Sequence, residues 1–177
     1  MTDAKEYARA LFELAEECGK TEAVMSDLAI IDSAFSQNPD YRNLLDTPAL
    51  KKDEKLALID EAFSGLDGYA INLLKILCER HSAHLFPKIK TEADKLYDES
   101  RGIERVEAVT AISMTDEQIE AITKKLEAIT AKTVIVNSKV DKSILGGVIL
   151  RYSGTQLDGS IKTRLEDLRK SLSNIII

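Results

Sequence analysis

Cysteine and histidine recur close together in one part of the sequence, at Cys78, His81 and His84. Thiolate and imidazole are good zinc ligands, so these three residues are the candidate metal site. On a continuous helix, however, the outer two would point in different directions, and no fourth ligand follows at a familiar spacing. Two interpretations therefore stay open: a metal-dependent enzyme, or a core cysteine followed by two histidines around a turn between helices. The second is favoured, because such short motifs are weak evidence.

Other sequence features that could do chemistry are incomplete. Gly146-Gly147 is not followed by the second glycine and the lysine of a phosphate-binding loop. It also precedes a strand-like run instead of a helix. The sequence has no Gly-x-Ser-x-Gly or His-Glu-x-x-His motif. Its carboxylates lie mostly on polar helix faces. We therefore expect a protein that is not an enzyme, with no catalytic residue, no cofactor and no metal.

Composition favours a helix-rich globular protein. Of 177 residues, 44% are hydrophobic and 31% charged, without a tryptophan. No apolar run approaches the roughly 18 residues of a membrane-spanning helix, and charges interrupt the first twenty residues, so neither a membrane helix nor a secretory signal is expected. Cys18 and Cys78 lie on apolar helix stripes, and no disulfide is expected.

Charge is distributed unevenly. Residues 1–102 contain 13 Lys and Arg against 20 Asp and Glu, a net −7, whereas residues 103–177 contain 11 against 10, a net +1. A nucleic-acid-binding protein usually needs a concentrated basic face. We therefore expect no nucleic-acid partner.

The first half of the sequence has the apolar periodicity of α-helices, and its prolines fall near predicted helix starts. Loops between the predicted helices are short enough for antiparallel packing. Helices are predicted at about Asp3–Cys18, Thr21–Ser36, Pro39–Asp46, Lys51–Phe63, Asp67–Arg80 and Ala83–Ser100.

After Gly102 the pattern changes to strands mixed with helices. The residues after Ile103 alternate with the two-residue period of a β-strand, and Thr133–Val140 is rich in β-branched residues. Between these two segments, a Thr115-x-x-Gln118 capping box begins a helix. The predicted fold class is α+β: an N-terminal six-helix bundle over residues 1–102, then a small α+β domain over residues 103–177 with a short mixed sheet and two main helices.

The segment Ser143–Leu172 combines turns, two short strands and a helix. Gly146 and Gly147 precede the run Val148–Tyr152, and a return strand follows a Ser-Gly turn. Asp158-Gly159 forms a second turn, and Ser160 is placed to cap a closing helix through Leu172. The last four residues form an apolar tail, and the sequence alone leaves open whether this tail is docked or disordered.

This order of glycines, strand, Asp-Gly-Ser and helix resembles the C-terminal signature of the delta subunit of bacterial and chloroplast F-type ATP synthases, the counterpart of the mitochondrial oligomycin-sensitivity-conferring protein. The opening residues Tyr7–Phe12, reading YARALF, resemble the first helix of that family. The length also agrees. Together these features extend the resemblance over essentially the whole chain.

Two predicted helices have wider apolar arcs than one core requires. At 100° per residue the apolar residues of the first helix span about 200° and those of the fifth about 220°, against a little over 100° for an ordinary amphipathic helix. Helical periodicity alone favours neither of two explanations for these wide apolar arcs. Either both helices are central and buried on several sides, or each offers a second face to a partner.

The resemblance favours a partner. It implies that the first and fifth helices form a groove for the amphipathic helix at the N-terminus of an alpha subunit. Carried over onto this sequence, the groove residues are Tyr7, Ala8, Leu11, Asn72, Leu73 and Ile76. For Gly146, Gly147, Asp158, Gly159 and Ser160, which match the family signature, a structural role is expected instead of partner contact.

For the whole protein, the resemblance implies a stator role in the peripheral stalk. The protein would link the alpha/beta catalytic head to the C-terminus of the membrane-anchored b subunits and resist rotor torque during proton-driven ATP synthesis. The expected location is the cytoplasmic face of the energy-transducing membrane, or the stromal face in a plastid, with membrane contact only through the complex. An unrelated helical scaffold or adaptor module is the alternative.

Overall fold

The chain forms two compact units, the first ending at Tyr97 and the second beginning at Asp98. The computed structural model describes residues 4–47, 50–152 and 154–165. Helices precede a small mixed sheet, so the predicted α+β class is confirmed.

In the described residues, six α-helices precede the sheet in chain order. Their bounds are α1 Ala4–Glu17, α2 Thr21–Gln37, α3 Pro39–Asp46, α4 Lys52–Ala62, α5 Gly68–Glu79 and α6 Phe86–Arg101. Five of them begin within a residue or two of the predicted positions. Pro39 occupies the first turn of α3, where its missing N–H costs nothing, and the Asp67 side chain caps α5 by accepting from the Tyr69 amide.

The sixth helix differs from the prediction in its first turn. Ala83–Leu85 is a short 3₁₀ helix, and α6 begins only at Phe86. Pro87 has no amide hydrogen to donate to the carbonyl of Ala83, and that carbonyl instead accepts from the Phe86 amide in the tighter 3₁₀ pattern. The Asp46 carboxylate accepts from the amides of Ala83 and His84 at 2.6 and 2.9 Å, which satisfies this helix start.

The core of the first unit combines aliphatic residues from every helix with an aromatic cluster. Phe35 packs edge-on against Phe63 and Phe86, with ring centroids 6.5 and 5.3 Å apart, and Tyr41 lies beside Phe35 at 6.1 Å. Burial of this apolar surface is the main stabilisation of the unit. The aliphatic residues fully buried in the same core include Leu28, Ile31, Leu74 and Leu77.

In the described part of the second unit, the sheet has four strands and is covered by one helix. Strands β1 Ile103–Thr110, β2 Thr133–Val140, β3 Val148–Tyr152 and β4 Thr155–Asp158 lie in the order β2-β1-β3-β4. The β1–β2 pair is parallel and is linked by helix α7, Asp116–Thr130, whereas β3 pairs antiparallel with β1 and β4. The predicted mixed sheet is therefore confirmed.

Helix α7 starts and packs as its sequence indicates. Thr115 Oγ1 accepts from the Gln118 amide, and the Gln118 side chain accepts in return from the Thr115 amide, so the predicted capping box is confirmed. Leu126 of α7 packs on Val106 and Val134 of the sheet. Residues 161–165 are helical, but the remainder of the predicted closing helix and the apolar tail lie outside the described residues.

Candidate functional site

One side of α1 carries apolar side chains that its own core leaves accessible. Tyr7 is half-buried, Leu14 is 47% exposed, and Cys18 is an exposed residue just beyond the end of the helix. Separations of seven and four residues place all three on one side of α1. This side adjoins the core stripe formed by Ala8, Leu11 and Ala15.

A matching side exists on α5. Tyr69 is half-buried, Asn72 is exposed and Ile76 is 44% exposed, while Leu73 between them is buried. Tyr69 and Ile76 are seven residues apart and therefore share a side of the helix. The buried stripe of α5, formed by Ala70, Leu74, Leu77 and Cys78, faces the core.

The accessible sides of α1 and α5 come together at both ends of the helix pair. Cys18 Sγ lies 3.1 Å from the Tyr69 hydroxyl, which joins the end of α1 to the start of α5. Tyr7 and Arg80, from the opposite ends of the two helices, line one cavity. The helices are thus antiparallel. We call the strip bordered by Tyr7, Leu14, Tyr69, Asn72 and Ile76 the α1–α5 groove.

A polar cluster fixes the Tyr69 end of the groove. Lys20 Nζ donates to Asp67 Oδ2 at 2.8 Å and lies 5.8 Å from the centroid of the Tyr69 ring. This ion pair lowers the pKa of the Asp67 carboxyl and raises the pKa of Lys20. The Asp67 amide also donates to Asp27 Oδ2 at 2.6 Å, which ties α5 to α2. The Lys20 ammonium group at this end is therefore paired within the chain, beside two carboxylates.

The six groove residues predicted from the sequence separate into two sets. Tyr7, Asn72 and Ile76 present accessible atoms, whereas Ala8, Leu11 and Leu73 are buried in the chain's own core. The buried three can contribute only the floor of the groove. Leu14 and Tyr69 are absent from the predicted set, although both lie within the wide apolar arcs of α1 and α5, which is the signal that identifies them.

The cysteine and histidines considered as metal ligands have separate partners. Cys78 is buried, with Sγ 3.6 Å from the Leu45 carbonyl oxygen, and His84 Nδ1 lies 2.9 Å from Asp46 Oδ2. His81 is exposed at a positive φ of 51°, just after α5. Within residues 4–47, 50–152 and 154–165, no three Cys, His, Asp or Glu side chains are grouped as metal ligands.

The glycine signature brings the start of β3 against the start of the closing helix. The Gly159 amide donates to the Val148 carbonyl and the Ile161 amide to the Gly146 carbonyl, both at 3.0 Å. A Cβ on Gly147, whose φ is +88°, would lie 2.5 Å from the Gly159 carbonyl oxygen. Only glycine fits that approach.

Asp158 and Ser160 complete this junction. Asp158 Oδ1 accepts from the Ser160 amide at 2.9 Å, and Ser160 Oγ accepts from the Thr163 amide at 3.3 Å, which is N-cap geometry. Hydrogen bonds from the Ser160 amide and from the Ser160 and Thr163 side chains lower the pKa of the Asp158 carboxyl. Ser160 is buried. The contacts that the structure gives these residues are thus internal to the chain.

The second unit also has an apolar depression on its surface. It has a volume of about 520 Å³ and lies where the end of β1, helix α7 and the loop before β3 meet. Ile112 is 78% exposed and Leu145 76% exposed at its rim, with Met114 and Ile122 also lining it. We call it the β1–α7 depression.

Comparison with known proteins assigns the family. The family model described as ATP synthase delta (OSCP) subunit matches residues 4–172. The chain belongs to this family. Curated relatives agree: ATP synthase subunit delta of Anaeromyxobacter dehalogenans is 33% identical over 171 residues, with 96% of each chain covered. That of Flavobacterium johnsoniae is 34% identical, with 95% of each covered.

A solved structure shares the fold. A chain of the Toxoplasma gondii mitochondrial ATP synthase hexamer superposes with a TM-score of 0.77 at 24% identity, covering 97% of this chain and 98% of that one. At this identity the match supports the architecture alone. It extends over both units of the chain.

Family membership establishes what the chain does. Members are components of the F-type ATP synthase, located in its peripheral stalk, and serve the stator function without catalysing a reaction themselves. The predicted family and stator function are confirmed. In the part of the chain that the structure describes, no helix is long and apolar enough to cross a bilayer.

Proposed function

We propose that the α1–α5 groove receives the amphipathic N-terminal helix of an alpha subunit of the catalytic head. The observation that carries this proposal is the pair of accessible apolar side chains, Leu14 and Ile76, beside a floor of buried Leu11 and Leu73. Apolar anchors at helical spacing are what an amphipathic helix inserts into such a groove. Asn72 and the Tyr7 hydroxyl would orient the docked helix.

Burial of Leu14 and Ile76 by a docked helix would contribute substantially to the free energy of binding. Removing an exposed Ile or Leu side chain from water contributes up to about 1.5–3 kcal/mol, and Ile76 and Leu14 each have roughly half of that still to gain. A few such anchors normally supply most of the affinity of an interface. Substitution of one anchor should therefore have a large effect.

We further propose that residues 1–102 form a six-helix bundle that binds the head, and that residues 103–177 bind the C-terminus of the b subunits. Two contact surfaces for two partners suit a stator, because tethering raises the effective concentration of each contact. In this proposal the chain lies at the cytoplasmic face of the energy-transducing membrane, or at the stromal face in a plastid. Its membrane attachment would be indirect, through the complex.

Titration of the full chain with a synthetic peptide from the N-terminus of an alpha subunit tests the groove. Ile76→Asp should weaken binding by at least about 30-fold, because an anchor is replaced by a desolvated carboxylate. Tyr7→Ala should weaken it by about tenfold. Calorimetry measures both, and circular dichroism checks that helical content is retained.

A matched control exists for Ile76→Asp. Ile30 on α2 is similarly exposed, at 49%, and does not border the groove. Ile30→Asp introduces the same carboxylate and should leave peptide affinity within about twofold. Wild-type affinity in both the Ile76 and Tyr7 variants would refute the groove proposal.

The β1–α7 depression is the proposed surface for the b subunits. It is apolar, and its rim residues Ile112 and Leu145 are more exposed than the groove anchors Leu14 and Ile76. Such an exposed apolar patch is typical of a protein-binding surface.

Ile112→Asp tests this surface. The variant should bind a peptide from the C-terminus of a b subunit about tenfold more weakly, or worse, because an exposed anchor is lost. Ile129→Asp is the control, because Ile129 is equally exposed on α7 but does not line the depression. Equal affinities of the two variants, measured by calorimetry, would contradict the assignment.

A further inference from the structure

A cavity of about 880 Å³ continues the α1–α5 groove beyond Tyr7. Its walls come from the start of α1, the end of α5 and the start of α6, all within the first unit. Tyr7 borders both the groove and the cavity. Arg80 follows Ile76 by four residues, so it extends the same side of α5 into the cavity.

Three cationic side chains line this cavity without forming an ion pair. Lys5, Arg80 and Lys88 are exposed, and within the described ranges none of them lies in salt-bridge contact with a carboxylate. They come from three different elements and meet only in the folded chain. Their grouping departs from the composition of residues 1–102, whose net charge is −7 from 13 cationic and 20 anionic residues.

The remaining titratable groups of the cavity do not neutralise the three cations. Glu92 accepts a hydrogen bond from Lys95 at 2.7 Å, and this pairing, with a smaller contribution from Lys5, holds the pKa of Glu92 below its usual range. His84 is paired with Asp46 at 2.9 Å. Among the described residues that line the cavity, one carboxylate that is already paired cannot offset Lys5, Arg80 and Lys88, so these residues together keep a net positive charge.

The two ends of the groove thus differ electrostatically. At the Tyr69 end, Lys20 is paired with Asp67 at 2.8 Å and the Asp27 carboxylate lies beside them, so these residues leave no excess of positive charge. At the Tyr7 end, the three cations leave an excess of positive charge. A helix docked in the groove would find an electrostatic preference for one direction over the other.

We propose that this cationic cavity binds carboxylate side chains at the acidic end of the helix docked in the groove, and so fixes the direction of that helix. The inference rests on the proposed function of the groove. It specifies the partner further, as an amphipathic helix with acidic residues concentrated at the end that lies beyond Tyr7. The apolar groove supplies most of the affinity, and the cavity supplies orientation and electrostatic steering.

A double charge reversal in the full chain tests the cavity. The probe is a synthetic peptide from the N-terminus of an alpha subunit, titrated at about 20 mM and about 500 mM salt. Lys5→Glu with Lys88→Glu should weaken binding about tenfold at low salt, and the loss should shrink to about twofold at high salt, where the charges are screened.

The control carries the same change of net charge elsewhere in the unit. Arg9 lies one turn after Lys5 on α1, Lys51 precedes α4, and neither lines the cavity. Arg9→Glu with Lys51→Glu should change affinity by about twofold or less at either salt concentration. If the two double variants bind equally, or if the loss in the cavity variant is independent of salt, the cavity inference is overturned.

Peptide variants test the direction. Replacing the acidic residues at one end of the peptide by their amides should reproduce the loss, and combining that peptide with the cavity variant should cause little further loss. Additive losses would refute the contact. Inorganic phosphate alone should compete weakly with the peptide. Saturable phosphate binding without competition would assign the cavity to a free anion and overturn the inference.

Ile76→Asp in the same series separates this inference from the groove proposal. If Ile76→Asp abolishes binding while the cavity variant has no effect, the cavity inference fails and the groove proposal stands. If peptide binding is unaffected by Ile76→Asp, the groove proposal itself fails, whatever the cavity variant does.

Discussion

At the scale of single residues, the structure assigns internal roles to polar groups that the sequence alone leaves unexplained. Lys55 is 2% exposed and donates to the Leu45 carbonyl at 2.7 Å. That carbonyl lies in the last turn of α3, where helix carbonyls lack intrahelical partners and attract positive charge. Lys55 lies among other charged residues of α4, so the sequence gives no signal that its ammonium group is buried against the Leu45 carbonyl.

Tyr41 gives a prediction with a defined pH range. Burial raises its pKa to about 12 from 10.0, and its hydroxyl donates to the Leu58 carbonyl at 3.1 Å. The folded state therefore retains the phenolic proton above pH 10, where the unfolded chain releases it. The stability contributed by Tyr41 is complete below about pH 10 and is lost as the pH rises towards 12.

Tyr41→Phe isolates this contribution. At pH 8 the variant should be less stable by about 1 kcal/mol, because the hydrogen bond is lost. At pH 11 the difference in unfolding free energy between the variant and the wild type should be smaller. The reason is that ionisation of Tyr41 in the unfolded chain destabilises only the wild type. Urea unfolding at the two pH values measures the change. A constant difference would show that Tyr41 ionises alike in the folded and unfolded states.

At the scale of secondary-structure elements, the junction of β3 with the closing helix depends on one backbone approach. Gly147→Ala places a methyl group against the Gly159 carbonyl at a φ of +88° and should destabilise the second unit by about 2 kcal/mol or more. Gly154→Ala is the control, because it has a similar φ of +76° but nothing within 4 Å. It should cost about 1 kcal/mol. Thermal unfolding compares the two, and equal losses would contradict the close-contact explanation.

Most elements could be predicted from local sequence, because their signals are local. Proline at the start of α3, the Thr115 capping box and the β-branched run of β2 each specify their element without reference to distant residues. The 3₁₀ start before α6 was missed, because it depends on Pro87 together with the Asp46 carboxylate from another part of the chain.

The groove could be predicted only in part for the same reason. Helical periodicity identified wide apolar arcs on α1 and α5, but it cannot tell which portion of an arc neighbouring helices cover. Leu11 and Leu73 are buried, whereas Leu14 and Ile76, one turn away, are accessible. The cationic cavity was not predicted at all, since its lysines and arginine meet only through tertiary packing.

At the scale of the whole molecule, a stator variant should uncouple the enzyme without stopping its chemistry. In ATP synthase reconstituted with Ile76→Asp, the head should still hydrolyse ATP, but proton pumping per ATP should fall because the head is held less firmly. An excess of the variant chain should restore pumping if weaker binding is the cause, since occupancy follows mass action. Ile30→Asp should pump normally. Undiminished pumping when the Ile76 variant is supplied in limiting amounts would contradict a role for this groove in holding the head.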